Sequence, residues 1–215
     1  SGNFIPVEGI HNLAQWCEDN NIFFILDESF VDFSVGYDSN TFLRNEILEE
    51  YPHMAVMKSI SKSYGVPGLR LGILSSADTA LIARMKKQVS IWNINSFGEY
   101  FMQILEKYSK DYMASLECIK KSRSIFIQNL SKIPFLRVNP SQANYVMCEV
   151  LNGFTSRDIA EKLLGKDILI KDLSTKVMNG KQYIRLAVRS EEDNQRLVTE
   201  LREYCNQKDK TYESK

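Results

Sequence analysis

Histidine is scarce. Two residues in 215, His11 and His53, stand far apart with no metal-like partner at ligand spacing. That argues against a zinc centre and against a histidine-based catalytic triad. Cysteine is also sparse: Cys17, Cys118, Cys148 and Cys205 form no CxxC pair. They read as buried or free thiols of a reducing compartment, so the expected location is the cytoplasm. Excess charge is absent, with 27 basic against 27 acidic side chains, so nothing pulls the chain toward nucleic acid or a membrane surface. No apolar run reaches the roughly 20 residues of a membrane span. No signal-peptide pattern opens the chain, because Ser1-Gly2-Asn3 leads into a helical pattern. Internal repeats and low-complexity segments are lacking, apart from a polar end, residues 206–215, that is expected to fray.

What is present is an apolar fraction of 44%, enough for a core, distributed in two different ways. Residues 6–20 carry Ile10, Leu13, Ala14 and Cys17 near a helical period. The run Ile22-Phe23-Phe24-Ile25-Leu26 then predicts a strand buried on both faces. A helix over 41–50, a buried strand over 54–57, a strand over 69–74 and a helix from Asp78 to about Gln88 continue the alternation of an open α/β sheet. From 96 to 130 the pattern is helical, with Phe97, Phe101, Ile104, Leu105 and Tyr108 on one stripe, and Pro134 stops it. Short strands (135–138, 144–150, 168–170, 182–188) and two helices (155–164, 191–205) follow, the second opened by a capping-box-like Ser190–Asp193. The expected organisation is a partial large domain over 1–95, a connecting helix over 96–130 and a small α+β domain over 131–215.

Two places carry chemistry. Asp27 and Glu28 end the first apolar strand, where ligands of open α/β sheets bind. A turn-capping acid is the plain alternative for Asp27, and Glu28, on the opposite side, is expected to be structural. The loop from Ser59 to Arg70 places Lys62 among serines and glycines, with an arginine eight residues on. Hydroxyls and a guanidinium fork are what a phosphate needs, and glycines allow backbone to come close. A lysine beside other cations is disposed to carbonyl chemistry. A solvated surface loop is the alternative.

The run Ser59-x-Ser61-Lys62-x7-Arg70 resembles the cofactor-lysine signature of the class I/II aminotransferases, in the branch of histidinol-phosphate aminotransferase and threonine-phosphate decarboxylase. Further segments resemble that family in order and spacing: Ser1-Gly2-Asn3, Ile25-Leu26-Asp27-Glu28-Ser29-Phe30, Trp92-Asn93-Ile94-Asn95-Ser96, Gln142-Ala143-Asn144-Tyr145, Ile168-Leu169-Ile170-Lys171-Asp172 and Tyr183-Ile184-Arg185-Leu186-Ala187-Val188-Arg189. The resemblance implies the later part of a fold type I pyridoxal-phosphate (PLP) enzyme: a mostly parallel α/β large domain, here partial, followed by a small α+β domain.

It also implies roles. Lys62 is the Schiff-base lysine and moves the proton at the substrate α-carbon. Asp27 holds the ring nitrogen protonated, a contact of about 4 kcal/mol at an effective dielectric near 20. Arg70, Ser59 and Ser61 bind the phosphate. Arg185 clamps the substrate carboxylate, with Asn144 lining that pocket. Arg189 reaches a second anionic group if it is not tied up in a surface ion pair. The substrates would be an amino acid and a 2-oxo acid, no metal is involved, and the protein would be a homodimer. Two residues depart from the family pattern. Phe30 stands where a tyrosine often donates to the ring hydroxyl, removing a bond of roughly 1–3 kcal/mol. Lys171 replaces an arginine that often provides a bidentate contact. Nothing corresponds to the family's N-terminal part, so this chain alone is expected to show weak or no activity. The expected reaction is amino transfer. Decarboxylation of a threonine-phosphate-like substrate is the alternative, and a domain that keeps the fold without turnover is a third reading.

Overall fold

The computed structural model describes residues 2–177 and 179–213, except for the side chains of 208–213. Ser1 of the Ser1-Gly2-Asn3 segment and the last two residues of the polar tail thus lie outside the described residues. Contacts divide the chain into two units, Phe4–Leu116 and Glu117–Lys215 with Ser1–Asn3. The division falls inside a helix rather than at its ends.

The first unit opens with α1, Val7–Asp19, which turns Ile10, Ala14 and Cys17 inward at helical spacing. Asn21, in the left-handed conformation at φ 56°, ends it. β1 (Phe24–Asp27) follows, then two short helices, α2 (Tyr37–Asn40) and α3 (Asn45–Glu50). β2 (Met54–Ser59) runs parallel to β1, with Phe24 opposite Met54 and Asp27 opposite Met57. One turn of helix, α4 (Ile60–Ser63), leads through a 3-10 turn at Pro67–Leu69 into β3 (Gly72–Ser75). β3 pairs antiparallel with β2, Gly72 opposite Ser59.

The mixed sheet has a simple cause. A parallel return needs a crossover of a dozen or more residues, usually through a helix packed on the sheet. Residues 60–71 instead make a short turn and a 3-10 turn, so the chain comes straight back. The strand expected at Leu69 therefore begins at Gly72: Pro67 starts the 3-10 turn, and Arg70 is left-handed at φ 56°.

The sheet is covered on one face only, which corrects the expectation of doubly buried strands. Ile10, Ala14, Phe42, Ile47, Met54 and Val56 form the core beneath it. On the other face Ile25 is 58% exposed and Met57 42%. The unit ends with α5 (Thr79–Gln88), capped by Asp78 accepting from the Leu81 amide at 2.8 Å, and α6 (Ser96–Ile104), capped by Asn95. The single helix expected over 96–130 is in fact two. A 3-10 turn at Leu105–Tyr108 separates α6 from α7 (Ser109–Leu130), and no proline or glycine in the sequence marks that break. Phe97 of the expected apolar stripe is 79% exposed.

The second unit takes over within α7. β4 (Leu136–Val138), β5 (Tyr145–Val150), β6 (Lys171–Asp172) and β7 (Gln182–Ala187) form an antiparallel sheet in the order β4-β5-β7-β6. α7, α8 (Ser156–Leu164) and α9 (Glu191–Glu213) supply its other layer. Phe126, Leu130, Val146, Cys148, Ile184 and Leu186 make a continuous core. The strand expected at 168–170 lies slightly later, and α9 continues to Glu213, well past the expected 205. Ser190 caps it, accepting from the Asp193 amide at 3.2 Å. Gly2 packs against this unit. Its carbonyl accepts from the Gln142 amide at 2.8 Å, and at φ 82° any Cβ would sit 2.5 Å from Ser141 Oγ. Among the described residues no helix is long and apolar enough to cross a membrane.

Candidate active site

Because β1 and β2 are parallel, their C-terminal ends lie on the same edge of the sheet. The two ends carry Asp27 and Ser59. Asp27 is exposed, and its Oδ1 accepts from both the amide of Ser29, at 2.9 Å, and the Ser29 hydroxyl, at 2.5 Å. The same hydroxyl accepts from the Ser59 amide at 3.1 Å. Oδ2 of Asp27 has no hydrogen-bond partner among the described residues. Glu28, one residue on, points the other way and is 4% exposed. It accepts from Thr41 Oγ1 at 2.7 Å and the Phe42 amide at 2.5 Å, and burial pushes its carboxyl above the usual range. Two adjacent carboxylates thus do different work: one pins the chain, the other is presented to solvent.

The turn after Ser59 carries Lys62. It lies in α4 with its side chain exposed, and no hydrogen bond or ion pair holds its ammonium among the described residues. Gly65, left-handed at φ 66°, turns the chain back. Arg70 is exposed at the far end of the loop, two residues before the partner of Ser59 in β3, and one guanidinium nitrogen donates to the Pro67 carbonyl at 3.0 Å. Asp27, Ser59, Lys62 and Arg70 therefore gather at one edge. Ser61 is different. It is 6% exposed and its hydroxyl turns inward, a weak donor to the Leu71 carbonyl at 3.4 Å. Phe30 sits half-buried with its ring 6.3 Å from that of Phe33, and offers no hydroxyl.

Behind the lysine turn is a cluster that local sequence signals do not reveal. Asp32, 2% exposed, accepts from Lys58 Nζ and, at 2.6 Å, from Tyr112 Oη. Tyr64 stacks on Tyr112, with centroids 3.9 Å apart and planes 9° from parallel, and meets Phe101 edge-on. Burial and the Asp32 carboxylate drive the Tyr112 hydroxyl strongly up, keeping it a donor. The cluster ties β2, the turn after β1, the lysine turn and α7 together. Its members are up to 80 residues apart, so only folding assembles it.

The remaining candidates belong to the second unit. Arg185 is exposed on β7, opposite Met147 of β5 on one side and Lys171 of β6 on the other. Its guanidinium lies 4.9 Å from the centroid of the Tyr145 ring, its diagonal neighbour on β5. That stacking orients a fork suited to a carboxylate. Asn144 immediately precedes β5, half-buried, and its carbonyl accepts from the Val188 amide at 2.9 Å. Arg189 was expected on the same strand face as Arg185, but β7 stops at Ala187. Its Nε donates to Asp193 Oδ2 at 2.8 Å in an exposed pair one helical turn apart, which removes the strand-alternation argument for a substrate role.

The chemistry of the first unit's donor set fits pyridoxal phosphate. A carboxylate with one oxygen available suits a protonated ring nitrogen, an unpartnered amine suits an aldehyde, and a hydroxyl with an arginine suits a phosphate.

Comparison with known proteins points the same way. Threonine-phosphate decarboxylase of Salmonella typhimurium is 33% identical over 192 residues, covering 88% of this chain and 50% of that protein. CMP-5'-(3-aminopropyl)phosphonate synthase of Streptomyces rubellomurinus is 31% identical over 201 residues, covering 93% of this chain and 31% of that protein. The crystal structure of the histidinol-phosphate aminotransferase from Clostridium acetobutylicum superposes with a TM-score of 0.87 at 27% identity, over 96% of this chain and 61% of that one. The chain thus spans about a third to a half of the length of such curated relatives. The family model "Aminotransferase class I and II" matches residues 1–201, and the chain belongs to that family of pyridoxal-phosphate enzymes.

Proposed function

We propose that the protein carrying this chain binds pyridoxal phosphate through Lys62 and acts at the α-carbon of an amino acid with a phosphate-like tail. The observation that carries the reading is the convergence of Asp27, Ser59, Lys62 and Arg70 on one edge of the sheet. Bound there, the cofactor supplies an electron sink for the pair released at the α-carbon. Asp27 Oδ2 would hold the proton of the ring nitrogen. Ser59 and Arg70 would hold the phosphate, while the Ser61 hydroxyl stays turned inward. The Lys62 amine, once displaced by substrate, would move a proton at the α-carbon. Arg185, oriented by Tyr145, would bind the α-carboxylate, with Asn144 beside it.

Two reactions suit this set. In amino transfer Lys62 takes the α-proton and the amino group passes to a 2-oxo acid. In decarboxylation the bond from the α-carbon to the carboxylate breaks, carbon dioxide leaves and Lys62 returns a proton to the α-carbon. Amino transfer is supported by the fold match to histidinol-phosphate aminotransferase, and decarboxylation by the likeness to threonine-phosphate decarboxylase. The phosphate-like tail rests on a shared feature: all three named relatives have a phosphate or phosphonate in their names.

The test is to incubate the whole protein with threonine phosphate alone, and with amino donors such as histidinol phosphate plus 2-oxoglutarate. Carbon dioxide release without keto-acid exchange selects decarboxylation, and the converse selects amino transfer. Neither, together with no visible absorbance on adding pyridoxal phosphate, would select the non-catalytic reading. Lys62→Ala is expected to abolish the visible band. A homodimer is part of the proposal by family resemblance, and sedimentation of the whole protein checks it.

A further inference from the structure

We propose that Ser29 is a positioning residue that locks the ring-nitrogen carboxylate to the phosphate-binding end of β2. The inference rests on the cofactor reading above, and goes beyond it in assigning a role to a residue that touches neither ring nor phosphate.

Ser29 is 7% exposed, although it lies between an exposed carboxylate and the lysine turn. A serine hydroxyl has one proton to donate and lone pairs to accept with. Here both capacities are used across the site. The proton goes to Asp27 Oδ1 at 2.5 Å, in the range of short charge-assisted bonds, and a lone pair receives the Ser59 amide at 3.1 Å. The β1–β2 register ends at Asp27 opposite Met57. Beyond that pair, the hydroxyl of Ser29 takes the Ser59 amide and continues the tie between the strands through a side chain.

The consequence is directional. The Ser29 amide, at 2.9 Å, and its hydroxyl both load Oδ1, which holds Asp27 in one rotamer and leaves Oδ2 without a hydrogen-bond partner among the described residues. Without the hydroxyl an exposed aspartate at a strand end would sample several rotamers, and the Ser59 amide would lose its partner. Ser29 therefore fixes which carboxylate oxygen meets the ring nitrogen and how far it stands from Ser59. Alanine at this position keeps the amide contact to Asp27 and removes both hydroxyl contacts.

The experiment uses the whole protein and three readouts: the dissociation constant for pyridoxal phosphate, the pH midpoint of the bound cofactor's visible band, and the melting temperature without cofactor. Ser29→Ala is expected to weaken cofactor binding about tenfold, the equivalent of one hydrogen bond, and to move the band's pH midpoint. A merely structural role would lower the melting temperature and leave the midpoint in place, which would overturn the proposal. In an Asp27→Ala background, Ser29→Ala should no longer affect the band. A full-sized effect there would also overturn it, because Ser29 would not be acting through Asp27. If Ser29→Ala does not fold, Ser29→Cys preserves volume with a much weaker donor. Wild-type affinity and midpoint in that variant would sink the proposal, and weakened binding with a moved midpoint supports it. Failure of the underlying reading looks different: the wild type itself would show no band that depends on Lys62, and both ideas would fall together.

Discussion

The two sheets of this protein bury their side chains to very different degrees. In the second unit Val146, Cys148, Ile184 and Leu186 are at 0% exposure beneath α7, α8 and α9. In the first unit Ile25 and Met57 stand open on one face, and the candidate catalytic residues crowd one edge of that same sheet. Strands packed beneath helices tolerate little displacement, since interiors pack at crystal-like density. A sheet covered on one side relies on hydrogen bonds and turns to hold its functional edge. The Asp27–Ser29–Ser59 link and the Asp32–Lys58–Tyr112 cluster are such devices.

That contrast can be broken most strongly at matched isoleucines. In this chain Ile184→Ala is expected to cost about 2–5 kcal/mol of stability, because it opens a cavity in a closed core. Ile25→Ala should stay within about 0.5 kcal/mol, as an exposed site does. Chemical denaturation of both variants measures the gap, and equal losses would show that the open face is covered in solution.

A smaller effect sharpens the contrast between neighbouring acids. The Glu28 carboxyl is pushed up from its ordinary 4.5 by burial, which outweighs the bonds from Thr41 and Phe42. A raised carboxyl binds its proton more tightly folded than unfolded. Its contribution to stability is therefore full below pH 4.5 and is lost as pH rises through the raised folded value. Glu28→Gln keeps an acceptor for the Phe42 amide and should flatten this part of the stability-against-pH curve. Denaturation midpoints taken between about pH 4 and about pH 7, from just below the ordinary carboxylate value to well above it, give the comparison. The smallest effect belongs to the rim of the second unit. Arg189→Ala removes an exposed pair with Asp193, whose carboxyl that arginine holds below its usual range. No change in melting temperature at neutral pH is expected, and no loss of substrate affinity if the pair is its whole role.

Local patterns carried much of this fold. The period of α1, the apolar runs of β1 and β2, the Asp78 cap and the Ser190 start of α9 follow from neighbours within a few residues. Asp27, Lys62, Ser59 and Arg70 were readable as strand-end and loop chemistry; the meeting of Asp27 and Ser59 follows from a parallel pair, and Arg70 joins them through the antiparallel return of β3. Ser29 carried a faint signal, a serine two residues after an aspartate, which marks a side-chain turn. The inward turn of Ser61, the break at Leu105–Tyr108 and the antiparallel return of β3 had no such signal.

Sequence by itself thus carried most of the element types, the family and a set of candidate residues for meeting a cofactor, because these depend on periodicity and on residue chemistry at fixed spacing. Tertiary structure decided which face of the first sheet is covered, that Arg189 pairs with Asp193, and that one serine joins Asp27 to Ser59. Those outcomes turn on where a side chain lies once distant segments have packed, and spacing along the chain does not encode that direction.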